Sequence, residues 1–123
     1  MTAGELIAQV DALRPNHYTV EEKLRWLRRI DGQVLRELEE THTQSGTELP
    51  AFPADYTEET ELRVGFPYDS ELYTAYLFCQ IDLHNGEIGK YNQSMSLLSA
   101  AWRQLADSMN RDRLPKAGSG CKL

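Results

Sequence analysis

Apolar residues recur every three or four positions from Leu77 to Met109, and that spacing governs what this chain can become. Leu77, Ile81, His84, Ile88, Tyr91, Met95, Leu98, Trp102, Leu105 and Met109 are separated alternately by four and three residues. Such a heptad seam belongs to a helix that packs against another helix. Asp69 is a good N-cap for this region, after Pro67-Tyr68. A straight helix over residues 69–113 is about 65 Å long, whereas a compact domain of about 100 residues has a radius of gyration of only about 13 Å. Either the helix breaks or the rod packs against other subunits. Asn85-Gly86 and Gly89 are helix breakers inside the seam. They favour two helical segments that part between Asn85 and Asn92.

Two further helices precede the seam. Thr2 with Glu5 three residues on makes a capping box, and Leu6, Ile7, Val10 and Leu13 form one apolar stripe. Arg14-Pro15-Asn16 stops that helix, since proline lacks the donor and restricts the residue before it. Thr19 with Glu22 repeats the capping box. Val20, Leu24, Leu27, Ile30, Val34 and Leu38 follow at helical spacing, with an expected end near Thr41-His42. Residues 43–67 hold Gly46, Pro50, Pro53, Gly65 and Pro67 and have little helical period. A loop of this length is uncommon in a compact domain, and neighbours are expected to order it. Glu61-Leu62-Arg63-Val64 reads as a very short strand, with a neighbouring subunit as its candidate partner. Leu114-Pro115 ends the last helix, and the rest is a flexible tail by composition. The expected fold is all-α: a small bundle of about four helices over residues 1–113, with one long irregular loop at 43–67, followed by a tail at 114–123.

The chain of 123 residues suits one domain with a core of its own. Its formal net charge of −6 disfavours wrapping a nucleic-acid duplex, which needs a basic face. An acidic surface still suits the lining of a channel through which DNA passes without sticking. No apolar run reaches the roughly 20 residues of a membrane span, and Met1 to Glu5 lack the basic start of a secretion signal. Cys79 in a helical pattern and Cys121 in the tail read as free thiols in a reducing compartment.

No residue stands out as catalytic, cofactor-binding or metal-ligating. His17, His42 and His84 have no partner at metal-ligand spacing, and His84 on the seam reads as a core or interface residue. Glu37, Glu39, Glu40, Glu58, Glu59 and Glu61 fall in runs typical of solvated helix ends and loops. Ser94, Ser96 and Ser99 lack a nucleophile-elbow context. Gly86 and Gly89 do not form a phosphate cradle. The aromatics carry more. Tyr73 and Tyr76 lie off the seam, which implies a second apolar face, either a thicker core or an interface. Trp26, Tyr56, Leu62, Val64, Tyr73 and Tyr76 are therefore the candidates for a subunit interface. Trp102 reads as core, where truncation to Ala costs about 3–5 kcal/mol.

The order of the pieces is informative. Asn16-His17-Tyr18-Thr19, Leu24-Arg25-Trp26-Leu27 and Asp31-Gly32 are followed by Tyr56-Thr57-Glu58-Glu59 and by Pro67-Tyr68-Asp69-Ser70-Glu71-Leu72-Tyr73. Then come Gln80-Ile81-Asp82-Leu83-His84-Asn85-Gly86-Glu87-Ile88-Gly89-Lys90-Tyr91-Asn92, Asn110-Arg111 and Leu114-Pro115-Lys116. Over nearly its whole length the chain resembles the head–tail connector proteins of tailed bacteriophages, also called adaptor or head-completion proteins. Residues 80–92 are the sharpest part, and they are no catalytic signature. The resemblance implies a helical, non-enzymatic structural protein of the virion neck, assembled in the host cytoplasm. It implies a homo-oligomeric ring, usually of twelve copies, beneath the portal protein. That ring extends the channel for genomic DNA and docks the next neck component, a stopper or tail-completion protein. It implies no cofactor. It also makes Leu114, Pro115, Lys116, Cys121, Lys122 and Leu123 the candidate portal contact, because adaptors of this type often reach the portal with a C-terminal extension. The alternative is another phage assembly factor, a tail-completion or scaffold-like protein. An enzyme regulator ranks third.

Overall fold

Both N-terminal helices start with the same device. In the computed structural model, which describes residues 1–39 and 54–113 (backbone only at 38–39 and 110–113), helix α1 spans Ala3–Leu13 and helix α2 spans Val20–Gln33. Thr2 Oγ1 accepts the Glu5 N–H at 3.2 Å, and Glu5 Oε1 accepts the Thr2 N–H at 2.8 Å. Thr19 and Glu22 repeat the exchange at 3.1 and 3.0 Å. Each box satisfies donors that a helix start leaves without an internal partner. Both glutamates are held below the usual carboxylate range, chiefly by the backbone hydrogen bond of the capping threonine.

Helix α2 continues as a π-helix, Val34–Glu39. The spacing of its apolar residues held no sign of that widening. The expected end near Thr41-His42 lies outside the described residues, as do residues 43–53 of the long loop and the tail from Leu114 on.

The seam resolves into two helices, α3 (Asp69–Asn85) and α4 (Ile88–Arg113). Gly86 between them has φ 75, the left-handed region that a side chain enters only at a cost. Its N–H donates to the Leu83 carbonyl at 3.1 Å, and the Glu87 N–H donates to Asp82 O at 2.9 Å. These two bonds form a Schellman motif. The turn folds the seam back on itself. Leu77 and Ile81 on α3, and Ala101 and Leu105 on α4, are buried, while Leu98, Trp102 and Met109 pack half-buried against the core. The middle of the seam falls at the turn, so His84 is exposed and Ile88 is 62% exposed.

Helix α3 is the central element: it packs on α1, α2 and α4. Accordingly it is buried on nearly every side, through Leu72, Tyr73, Ala75, Tyr76, Leu77, Cys79 and Ile81. Leu6, Ile7 and Val10 of α1 and Leu27 and Ile30 of α2, with Val34 just beyond, complete the core.

Residues 54–64 form a strap over this core rather than a strand. Among the described residues there is one isolated bridge and no strand, and the bridge joins Glu61 to Thr2 of the same chain. The partner expected from a neighbouring subunit is thus the chain's own N-terminal segment. The reason is local. The first N–H groups of α1 need acceptors, and the strap supplies them: Ala3 N–H donates to Thr60 O and Gly4 N–H to Glu58 O, both at 2.8 Å. Leu62 N–H in turn donates to Met1 O at 3.1 Å. Leu62 and Val64 then enter the core. This part of the loop is therefore ordered by its own subunit, contrary to the expectation that neighbours would order it.

Candidate interaction surface

Of the charged groups buried among the described residues, Asp69 opens α3, and Asp31, Asp82 and Lys23 are what the sequence pattern did not disclose. Asp31 has no solvent exposure. Tyr73 Oη donates to its Oδ1 at 2.5 Å and Tyr56 Oη to its Oδ2 at 2.6 Å. Tyr73 Oη also accepts the Val64 N–H at 2.8 Å. One carboxylate on α2 thus ties the strap, through Tyr56 and Val64, to Tyr73 on α3. Burial pushes the Asp31 carboxyl upward from its ordinary value, against the lowering effect of the two tyrosines and the Arg63 backbone. It pushes both tyrosine hydroxyls upward too, with the Asp31 charge adding to it.

Asp82 on α3 is 1% exposed. Arg14 Nη1, just past α1, donates to both of its oxygens at 2.7 Å, and Ser94 Oγ of α4 donates to Oδ2 at 2.8 Å. The Arg14 guanidinium also lies 4.0 Å from the centre of the Phe78 ring, a favourable cation–π arrangement. Cys79, beside this pair, is a buried free thiol pushed up to about 11 by burial and by the Asp82 charge. Such a thiol is a poor nucleophile. Lys23 is the third group. It is 3% exposed and its ammonium meets Asp11 Oδ1 at 2.8 Å. These side chains hold helices and strap together. Asp31, Tyr73, Asp82, Ser94, Cys79 and Lys23 are buried, while Tyr56, Phe78, Arg14 and Asp11 are partly exposed.

The interface candidates are divided by burial. Trp26, Leu62, Val64, Tyr73 and Tyr76 are each no more than 8% exposed within the single chain. The second apolar face holding Trp26, Leu62, Val64 and Tyr73 lies in the thicker core, while Tyr76 keeps an edge in the wall of an open groove between α2, α3 and α4. The cause is the central position of α3, which needs apolar residues all round. Tyr56 is half-buried and engaged with Asp31. The six candidate portal-contact residues, Leu114, Pro115, Lys116, Cys121, Lys122 and Leu123, lie outside the described residues. His17 stacks on Tyr18 with centroids 5.2 Å apart, and His84 lies 5.1 Å from Trp26. Among the described residues no three His, Cys, Asp or Glu side chains gather at metal-holding distances, and no helix is long and apolar enough to cross a membrane.

Among the described residues, several apolar features mark the surface. Phe66, in the turn before α3, is 91% exposed. A groove of about 330 Å³ lies between α1, α3 and α4, with Leu13, Thr74, Phe78 and Leu97 in its walls and Glu71 and Gln104 beside them. A larger groove, about 460 Å³, lies between α2, α3 and α4 and is lined by Ile30, Tyr76, Leu98, Trp102 and Arg103, among others. Leu83 and Ile88 add exposed apolar area at the α3–α4 turn. No protein-family model, curated protein or solved structure matches this chain.

Proposed function

We propose that this chain is a structural protein of the phage neck, a connector that forms a ring beneath the portal, extends the DNA channel and docks the next neck or tail component. The observation that carries the reading is where its most specific resemblance falls. Residues 80–92 run from the end of α3 through the turn into the start of α4. Ile81 and Asp82 there are buried, but Leu83, His84, Asn85, Gly86, Ile88, Gly89 and Lys90, around the turn itself, are all exposed. Side chains at an exposed turn are free of most packing demands, so a likeness there speaks for a shared surface role rather than a shared core. Two properties agree with it. The fold is a small all-α bundle, and its net charge of −6 keeps passing DNA from adhering. In this reading the tail from Leu114 to Leu123 makes the portal contact: Lys116 and Lys122 are basic on an acidic chain, and Pro115, Gly118 and Gly120 disfavour autonomous folding.

The test is to mix the purified chain with portal protein and measure native mass and projected shape by electron microscopy. A closed ring of the chain seated on the portal is expected. A chain that stays apart from portal at all ratios overturns the reading. Deleting residues 116–123 should leave the helical signal intact while weakening portal binding. Unchanged affinity would transfer the contact to the helical faces.

A further inference from the structure

Phe66 is an apolar side chain held out into water by a backbone that cannot easily withdraw it. The turn is closed by the Tyr68 N–H donating to Gly65 O at 3.0 Å. On one side Val64 is buried, with its N–H held by Tyr73 Oη. On the other, Tyr68 packs against the core and Asp69 opens α3. With the backbone on both sides fixed in this way, only the side-chain rotamer of Phe66 is left to order on binding, which keeps the cost of docking low. A single exposed apolar side chain is ordinary on a protein surface; what makes Phe66 a candidate anchor is a pocket of fitting size.

The same chain carries that pocket. The groove between α2, α3 and α4 measures about 460 Å³, and an apolar cavity of roughly 150 Å³ is already enough for a benzene ring. Tyr76 and Trp102 in its walls offer aromatic edges and faces to a phenyl group. Charge chooses between the two grooves. The turn that carries Phe66 has Glu58, Glu59 and Glu61 before it and Glu71 after it, all exposed. The smaller groove has Glu71 itself in its wall, which repels such a turn. The larger groove has Arg103 in its wall and Arg29 bonded to Tyr76, with Glu37, the acceptor of the Gln33 amide at 3.1 Å, as the opposing charge.

We propose that Phe66 of one copy inserts into the groove lined by Ile30, Tyr76, Leu98 and Trp102 of a second copy, with the acidic residues around the turn facing Arg103 and Arg29. Knob and socket are different surfaces of one chain, so the contact is head-to-tail. Each copy uses its turn on one neighbour and its groove on the other, and repetition closes a ring or extends a fibre. The ring of the proposed function rests on a contact of this type, but the contact is testable without portal.

Sedimentation of the whole chain over a concentration series tests it. Wild type should associate as concentration rises. Phe66→Ser removes the knob and Ser99→Trp fills the groove from an exposed position. Each should weaken association about ten- to hundred-fold, the worth of one buried phenylalanine ring. Arg103→Glu, a surface change that leaves packing alone, should weaken it as well and serves if Ser99→Trp fails to fold. Mixed together, the knob-less and socket-filled variants should form one-to-one pairs that grow no further, because only one intact contact remains between them. A wild type that stays monomeric at its highest soluble concentration, a Phe66→Ser protein that associates like wild type, or a mixture that makes no pairs overturns the contact. If Phe66→Ser still builds a ring on portal, the contact fails while the connector reading stands. If the variants behave as expected but wild type ignores portal, the connector reading fails and the contact stands.

Discussion

Asp31 is surrounded by donors and still has its proton affinity raised, because burial outweighs the hydrogen bonds it accepts. The sign of its effect on stability follows. A carboxyl whose folded value lies above its unfolded value of about 3.9 favours folding most when protonated. Its contribution is complete below the unfolded value and declines as pH rises through the folded one. The stability of wild type relative to Asp31→Asn should therefore shrink between acidic and neutral pH, measured by denaturant titration at each pH. A difference that grows with pH would mean that Tyr56, Tyr73 and Arg63 dominate over burial. Gly4 is a second residue-scale constraint. A Cβ there would stand 3.0 Å from both Cβ and the carbonyl oxygen of Glu58, where the strap caps α1. Gly4→Ala should destabilise the fold by about 1–3 kcal/mol through overpacking, and amide exchange at Ala3 and at position 4 should accelerate. Normal protection there would show that the strap yields without cost.

At the scale of elements, the hairpin of α3 and α4 depends on one left-handed residue. Gly86→Ala forces a Cβ into φ 75 with nothing within 4 Å to clash with it. The penalty is therefore purely conformational, about 1–2 kcal/mol, and a thermal scan should show it. Gly86→Asn should lose less, since asparagine tolerates that region. Trp102 is a correction to the reading of the seam. It is half-buried and lines the open groove instead of filling the core. Trp102→Ala should then cost less than the roughly 3–5 kcal/mol of a fully buried aromatic. A loss in that full range by chemical denaturation would mean that the groove closes in solution.

Across the whole molecule, Arg14 connects three helices through one carboxylate. It follows the last turn of α1, binds Asp82 on α3, and shares that acceptor with Ser94 on α4. Asp82 is 1% exposed while the Arg14 side chain is 31% exposed. Removing the arginine leaves a charge in the interior, which typically costs about 3 kcal/mol or more. Arg14→Ala should lower the denaturant midpoint accordingly, and adding Asp82→Asn should recover part of the loss. No recovery would place the cost in the lost Phe78 stacking instead.

What the sequence determined by itself was local. Thr2–Glu5 and Thr19–Glu22 specify helix starts through bonds made three residues apart. Asn85-Gly86 specifies the break, because glycine alone enters the left-handed region freely. Periods of three and four select helices over strands, so the all-α class was legible. The tertiary structure decided whatever depends on which faces meet. Tyr73, off the seam, was equally consistent with core and interface until α3 took the central position and buried it, while Tyr76 came to rest in the wall of a groove. Leu62 and Val64 needed a partner that spacing cannot name, and the open donors at the start of α1 turned out to hold it. Asp31 and Asp82 look like ordinary polar positions on their helices. Their burial follows from donors that lie far off along the chain, at positions 56 and 73 for one and 14 and 94 for the other, a distance that no local pattern spans.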